Sequence, residues 1–187
     1  DFSNLGVELK ASPVKLVKEG TPQQTVTHKE RLVFSMVDFQ SICAEEWETS
    51  SFRQKNLEVL LLLYLAPAGI KNGPSARAKE VWLDRCFDFP VLGAGLLTFT
   101  AEEQEIMKED WHAIREMVQE GKAHEIHESG EIIGACTKGS TREGSMRSQP
   151  YSDEQAPGRA FCLRPKFQKR LVQKIISGGC EIPYELP

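Results

Sequence analysis

Asp1-Phe-Ser-Asn-Leu-Gly-Val-Glu-Leu-Lys10 is the stretch on which the reading of this chain turns. Val7, Leu9 and Ala11 alternate with Glu8 and Lys10, the pattern of a half-buried strand, and it follows a turn over residues 4–6. Side chains two apart on a strand share a face, so Glu8 and Lys10 point the same way, roughly 6.6 Å apart along the chain. The opposite face, carrying Val7 and Leu9, is expected to press into a core. Asp1, before the turn, is placed to fold back beside Glu8.

Two converging carboxylates with an ammonium beside them suit one kind of chemistry. Hard divalent cations such as magnesium take oxygen ligands, often one or two carboxylates plus substrate phosphates. The bound ion polarises a phosphoryl oxygen and activates water, and a neighbouring lysine orients that water or offsets developing charge. By itself a Glu-X-Lys strand is weak, since it occurs by chance in most proteins and is usually a solvated polar face.

The wider sequence gives the motif its context. The acidic residue, turn and Glu-X-Lys resemble the PD-(D/E)XK nuclease motif. Gly6-Val-Glu-Leu-Lys-Ala-Ser-Pro13 resembles the active-site strand of MutH-type nucleases, which act at GATC sites in DNA. Lys29-Glu-Arg-Leu-Val33, Trp47-Glu-Thr-Ser-Ser-Phe-Arg-Gln-Lys55, Glu120-Gly-Lys-Ala-His-Glu125, Cys136-Thr-Lys-Gly139, Gln149-Pro-Tyr-Ser-Asp153 and Arg159-Ala-Phe-Cys-Leu163 are similar to further family blocks, in the family's order. The similarity is greatest to the amino-terminal catalytic domain of the GATC-cleaving type II restriction endonucleases.

The resemblance implies an α/β fold of the PD-(D/E)XK restriction-endonuclease-like (MutH-like) type: a mixed central sheet flanked by helices, with two lobes around a DNA cleft. Residues 1–120 would form the catalytic lobe and 121–187 the DNA-recognition lobe. Asp1 and Glu8 are the expected magnesium ligands and Lys10 the water-orienting or charge-stabilising group. Lys55 stands where the family places another functional lysine near the scissile phosphate; without the family it reads as an exposed lysine ending a helix. Glu48 is a weaker candidate. Lys138 falls at the GATC-reading loop, and lysine donating to guanine O6 and N7 is among the commonest specific base contacts. Thr137 offers a hydroxyl or methyl contact in the same groove. Arg142, Arg147, Arg159 and Lys166 read as phosphate grips, giving affinity and register. Tyr151 is expected to pack against its loop, with stacking or hydrogen bonding near the DNA as the alternative. Cys162 stands where the mismatch-repair branch carries a tyrosine associated with sensing adenine methylation, which leans toward the restriction branch.

The expected activity is therefore magnesium-dependent hydrolysis of double-stranded DNA at GATC, as in a type II restriction enzyme. Mismatch-repair strand nicking and non-catalytic GATC binding are the alternatives. A two-fold symmetric target calls for two copies of the site, by self-association or a second domain in the parent chain. The family also implies an amino-terminal helical segment with a further acidic residue, so the chain reads as part of a longer protein.

Composition is compatible with this. At 187 residues, 40% hydrophobic and 27% charged, the chain has the balance of a globular protein. The apolar run 57–65 is too short to span a bilayer, and no signal-peptide pattern opens the sequence. Five cysteines without C-x-x-C spacing point to neither a disulfide framework nor zinc, but to a reducing cytoplasm, and the family resemblance implies a bacterial one, at the nucleoid. The net charge of −4 runs against a nucleic-acid binder. Yet Lys138, Arg142, Arg147, Arg159, Arg164, Lys166, Lys169, Arg170 and Lys174 are opposed over that span by Glu143, Asp153 and Glu154 alone. Local surface charge matters more than the sum. No G-x-x-x-x-G-K-[ST] supports a nucleotide-driven activity, and His124-x-x-His127 reads as a solvated pair.

Further along, Pro13 and residues 20–24 mark a turn and loop. Residues 31–39 read as a buried strand, 44–55 as a short helix with Thr49, Ser50 or Ser51 as cap, and 57–65 as a central strand. The Gly- and Pro-broken stretch 68–101 reads as a connection with one helical turn near 76–85. Ala101–Gln119 is the clearest helix, with Thr100 as cap, Glu103 three residues on, and a stripe of Ile106, Trp111, Ile114, Met117 and Val118. Residues 124–126 and 131–135 read as a hairpin, 137–158 as a long loop of the kind that is functional or disordered, Arg159–Leu163 as a strand, and 165–177 as a basic helix burying Phe167, Leu171, Val172 and Ile175.

Overall fold

The computed structural model describes residues 6–66, 89–138 and 146–178, and over these the chain is mixed α/β. Its strands are β1 (Glu8–Val17), β2 (Thr25–His28), β3 (Val33–Met36), β4 (Glu58–Leu65), β5 (Val91–Thr98), β6 (Ile133–Thr137), β7 (Met146–Gln149), β8 (Ser152–Pro157) and β9 (Arg159–Leu163). Its helices are α1 (Ser51–Asn56), α2 (Ala101–Gln119) and α3 (Pro165–Ile176). The strands form sheets ordered β2-β1-β4-β5, β3-β9-β6 and β7-β8. Two compact units emerge: Asp1–Glu8 with Arg31–Val59 and Leu97–Gln168, and Leu9–Glu30 with Leu60–Leu96 and Lys169–Pro187.

In the first unit the aromatic residues make the core. Phe52, in α1, meets Phe34 of β3 edge-on at 5.7 Å and Phe161 of β9 at 4.6 Å, while Trp47 lies 6.0 Å from Trp111. Such pairs stabilise beyond the area they bury. Helix α2 has the expected bounds, because Thr100 and Glu103 complete a reciprocal capping box. Its fully buried stripe is Met107, Trp111, Ile114 and Val118; Met107 rather than Ile106 takes the first inward position. Helix α1 starts from Ser50, whose hydroxyl accepts from the Arg53 amide at 3.2 Å.

In β3-β9-β6 both pairings are antiparallel, with Val33 opposite Cys162 and Thr137 opposite Arg159. The entrance to β6 is held by a side chain of α2. The Asp110 carboxylate accepts from the amides of Glu131 (2.9 and 3.1 Å), Ile132 (2.9 Å) and Ile133 (2.9 Å). Three successive N–H groups converging on one anion form a backbone nest. Gly130 makes the approach possible: its φ is +106°, and a Cβ there would collide with the Ile133 carbonyl.

In the second unit, β1 and β4 lie inside the four-stranded order. Val14, Leu61 and Leu63 are fully buried, as the apolar run of β4 requires. Helix α3 buries Phe167, Leu171, Val172 and Ile175, as its spacing predicts.

Several expectations are corrected. Pro13 does not end β1, which continues to Val17; Pro13 sits where the antiparallel ladder with β2 stops, and its carbonyl accepts from Lys29 N at 2.9 Å. The buried strand of 31–39 shortens to β3, with Val37 and Phe39 buried in the turn that follows. Residues 91–98 are a strand, not part of a connection. Gly93 misleads because it answers close packing: a Cβ there would lie 3.2 Å from Ile175 Cγ2. The turn near 76–85 lies outside the described residues. Residues 123–125 form one turn of 3-10 helix, and β6 pairs with β9, so the expected hairpin over 124–135 is absent. The hairpin is instead β7-β8, inside the stretch expected to be loop.

Replacing Asp110 by Asn leaves one acceptor oxygen and turns an NH2 group toward the nest. Asp110→Asn is expected to lower unfolding free energy by about 3 kcal/mol, since hydrogen bonds to a charged group are worth ~1.5–3 kcal/mol each. Denaturant titration checks this, and a loss within experimental error would remove the nest from the account.

Candidate active site and candidate nucleic-acid interface

On β1 the expected faces are reversed. Leu9 is 43% exposed, whereas the Glu8 side chain is 12% exposed and Lys10 half-buried. The alternation continues inward through Ser12, buried to 2%, and Val14. Turning the polar face in and a leucine out opposes the hydrophobic effect, and a buried polar group is the informative exception in any fold. Asp1 lies outside the described residues.

Lys55 stands in the last turn of α1, where Phe52 and Asn56 face inward and leave it outward. Asn56 Nδ2 donates to the Phe52 carbonyl at 2.8 Å, which ties off that end. Lys55 Nζ lies 3.8 Å from Glu8 Oε1, with 52% of its side chain exposed. That distance is too long for a hydrogen bond. The ammonium is drawn toward the carboxylate by charge without a hydrogen bond to it. Glu48 is occupied elsewhere: Lys108 Nζ sits 2.9 Å from Glu48 Oε1, a hydrogen bond that holds the carboxyl below its usual range and raises the lysine.

The second group of residues lies at the end of the β6-β9 ladder. Thr137 and Lys138 are exposed, and Lys138 N donates to the Gly158 carbonyl at 2.8 Å. Arg159 is half-buried, and its Nη1 donates to Thr137 Oγ1 at 2.7 Å. Burial pushes its guanidinium down from the ordinary value, with Cys136 acting the other way. Arg147 is exposed on β7, its Nη1 donating to the Met146 carbonyl at 2.9 Å, and Lys166 is exposed in the first turn of α3. Arg142 lies outside the described residues.

Under this surface, Cys136 and Cys162 share a small buried cluster with Ala160. The Cys162 thiol donating to Cys136 lowers the latter to about 6, with Lys138 and Arg31 adding to the effect against burial; Cys162 is pushed up by the same bond and by burial. Cys162 is 2% exposed.

Sequence reasoning missed the supports around these strands. Arg31 pairs with the Glu128 carboxylate, and Arg164 Nη1 donates to the Glu128 carbonyl. Gln149 is buried; its Oε1 accepts from Ala123 N at 2.7 Å and its Nε2 donates to the Glu154 carbonyl at 2.8 Å. Those bonds fix the amide, so His124 Nδ1, 3.1 Å from Gln149 Nε2, must accept. Its Nε2 lies 3.0 Å from Glu154 Oε2. His124 is therefore a structural residue of the hairpin, not half of a solvated pair. Tyr151 does not pack as expected: it is 75% exposed at the hairpin tip, with φ +62°. Among the described residues no cluster of three or more His, Cys, Asp or Glu is placed to hold a metal, and no helix is long and apolar enough to cross a membrane.

The MutH family, described as DNA mismatch repair enzyme MutH, matches residues 1–110. The type II restriction enzyme Sau3AI of Staphylococcus aureus is 36% identical over 185 residues, which cover 97% of this chain and 34% of that protein. The DNA mismatch repair protein MutH of Vibrio cholerae is 26% identical over 179 residues, covering 93% of this chain and 70% of that protein. The one from Pasteurella multocida is 25% identical over 182 residues, covering 95% and 72%. The chain thus spans about a third of the length of the first relative and about seven-tenths of the other two.

An exposed ammonium at 3.8 Å adds little to stability. Lys55→Ala is expected to change unfolding free energy by less than about 0.5 kcal/mol. Chemical denaturation compared with catalytic assay would separate a structural from a functional lysine, and a large loss of stability would make Lys55 part of the scaffold.

Proposed function

The chain belongs to the MutH family, and we propose that it is a metal-dependent endonuclease that hydrolyses double-stranded DNA at GATC sites as a type II restriction enzyme. The observation that carries the reading is the inward polar face of β1, with Glu8 and Lys10 turned in and Leu9 left in solvent. The name of the Staphylococcus aureus relative supports the restriction branch, and the order of similar sequence blocks supports the family's target.

The residues present suit magnesium. Glu8 supplies a hard oxygen donor with little solvent exposure, and magnesium commonly takes one or two carboxylates while keeping water and phosphate oxygens in its other positions. Asp1 and Glu8 would hold it. When bound, the ion supplies Lewis-acid polarisation of the phosphoryl oxygen and a more acidic water.

The protein's own groups do the rest. Glu8 fixes the site to the start of β1. Lys10, two residues on, orients the attacking water or offsets charge as the phosphodiester bond breaks. Lys55 leaves Glu8 for the scissile phosphate, a move its exposure and long contact permit. In this reading the catalytic residues fall within 1–120 and the DNA-reading residues within 121–187. Lys138 donates to guanine, Thr137 makes a second contact in the groove, and Arg142, Arg147 and Lys166 meet phosphates, with Arg159 adding to the basic surface. The setting is the bacterial cytoplasm, at the nucleoid, with self-association or a second domain of the parent chain supplying the second cut.

Plasmid digestion with magnesium, using unmethylated and adenine-methylated DNA and the full-length parent protein, tests this. The expected product is a set of fragments ending at GATC; nicked circles would move the protein to the mismatch-repair branch, and selective binding without cleavage would make it a recognition module. Glu8→Ala should abolish cleavage and spare binding; persisting cleavage would remove Glu8 from the metal site. Lys138→Ala should lose preference for GATC by about tenfold or more over single-base variants. Unchanged preference would sink that assignment.

A further inference from the structure

Arg159 is used differently from the other cations near the DNA-reading strands. It stands directly opposite Thr137 in the β6-β9 ladder, and the next backbone bond, Lys138 N to the Gly158 carbonyl at 2.8 Å, pins the chain just beyond. With the backbone held, the Thr137 side chain has one remaining freedom, the direction of its hydroxyl. Arg159 Nη1 donates to that oxygen at 2.7 Å, at the short end for an N–H···O bond.

A guanidinium has donors and no acceptor. In this pair Thr137 Oγ1 must therefore accept, which leaves its own proton for an outside partner. A cationic donor on the oxygen also polarises the O–H bond and strengthens what it donates. Thr137 is exposed, so the hydroxyl is accessible to a ligand. Arg159 is half-buried, and its Nε is buried without a hydrogen-bond partner among the described residues. A phosphate grip instead favours a cation at the surface. Arg147 and Lys166 are both exposed.

We propose that Arg159 is a positioning residue that sets the Thr137 hydroxyl as a hydrogen-bond donor toward an acceptor atom on a base edge, and that it does not act by gripping phosphate. The proposal rests on the reading of residues 137–138 as DNA-contacting. In the major groove the acceptors are N7 and O6 of guanine, N7 of adenine and O4 of thymine, while the exocyclic amines of adenine and cytosine are donors. Thr137 would then favour a base presenting an acceptor and disfavour one presenting an amine at the same place.

The test is equilibrium binding by the chain, its Thr137→Val and Arg159→Ala variants and the double variant, across a range of salt. The probes are GATC duplexes, single-base variants, and duplexes in which one acceptor at a time is deleted with a 7-deazapurine, 2-aminopurine or pyrimidin-2-one. At least one deletion should cost the unsubstituted chain about tenfold. The same deletion should cost each single variant nothing, the double variant should be no worse than the singles, and the salt slope should hold. Thr137→Val preserves shape at an exposed position, so the test survives if Arg159→Ala fails to fold. A Thr137→Val protein that keeps every deletion penalty would overturn the proposal. So would an Arg159→Ala protein that weakens on all duplexes alike with a salt slope smaller by about one, the mark of a lost phosphate contact. If the unsubstituted chain shows no GATC preference, the reading of 137–138 fails first and takes the proposal with it.

Discussion

The Asp110 carboxylate is the constraint on which the β3-β9-β6 sheet depends. A helix side chain gathers three consecutive amides, from Glu131 to Ile133, and so fixes where and at what angle β6 begins. Arg164 N, donating to the Ile132 carbonyl at 2.8 Å, then joins the end of β9 to the same turn. From there the ladder runs in register to Thr137 opposite Arg159. A residue placed four beyond the last anchored amide inherits its precision from backbone bonds, and its own side chain needs little further restraint. The helix is itself held at its start by Thr100 and Glu103 and along its length by Met107, Trp111, Ile114 and Val118.

A second constraint acts on β1. Folding normally puts leucine inside and glutamate outside, at a gain of about 25 cal/mol for each Å² of apolar surface removed from water. Here Glu8 is turned in and Leu9 out. The strand therefore gives up some stability for the placement of a carboxylate, a trade that belongs to sites of chemistry more than to scaffolds. Lys55 complements it economically: a short helix with one serine cap brings an ammonium near the carboxylate and leaves it able to move.

Elements with strong local signals are legible in the sequence. Thr100 and Glu103 announce α2, Ser50 announces α1, and the spacing of Phe167, Leu171, Val172 and Ile175 gives the buried face of α3. What local pattern cannot decide is which face of a strand a tertiary neighbour will cover. For β1 the alternation of Glu8, Leu9 and Lys10 fixes that two faces exist, and only packing chooses between them. Gly93 marks close approach to Ile175 while reading as a chain break. The candidate site was read chiefly through resemblance, since three residues on a strand carry little information; the contacts around β6 and β7-β8, Asp110 with residues 131–133, Gln149 with Ala123, Arg159 with Thr137, join positions distant in sequence.

The topology of β3-β9-β6 also bears on synthesis. Val33 finds Cys162 across the sheet, 129 residues later. A ribosome adding about 5–20 residues each second leaves the nascent β3 without its partner for roughly ten seconds. During that interval Phe34, which ends buried beside Phe52, belongs to an open strand edge. Helix α2 and its aspartate are complete well before then, so the turn at 131–133 can close as soon as it emerges. The three-stranded sheet would be assembled around a late, central strand, β9, whose arrival closes it on both sides at once.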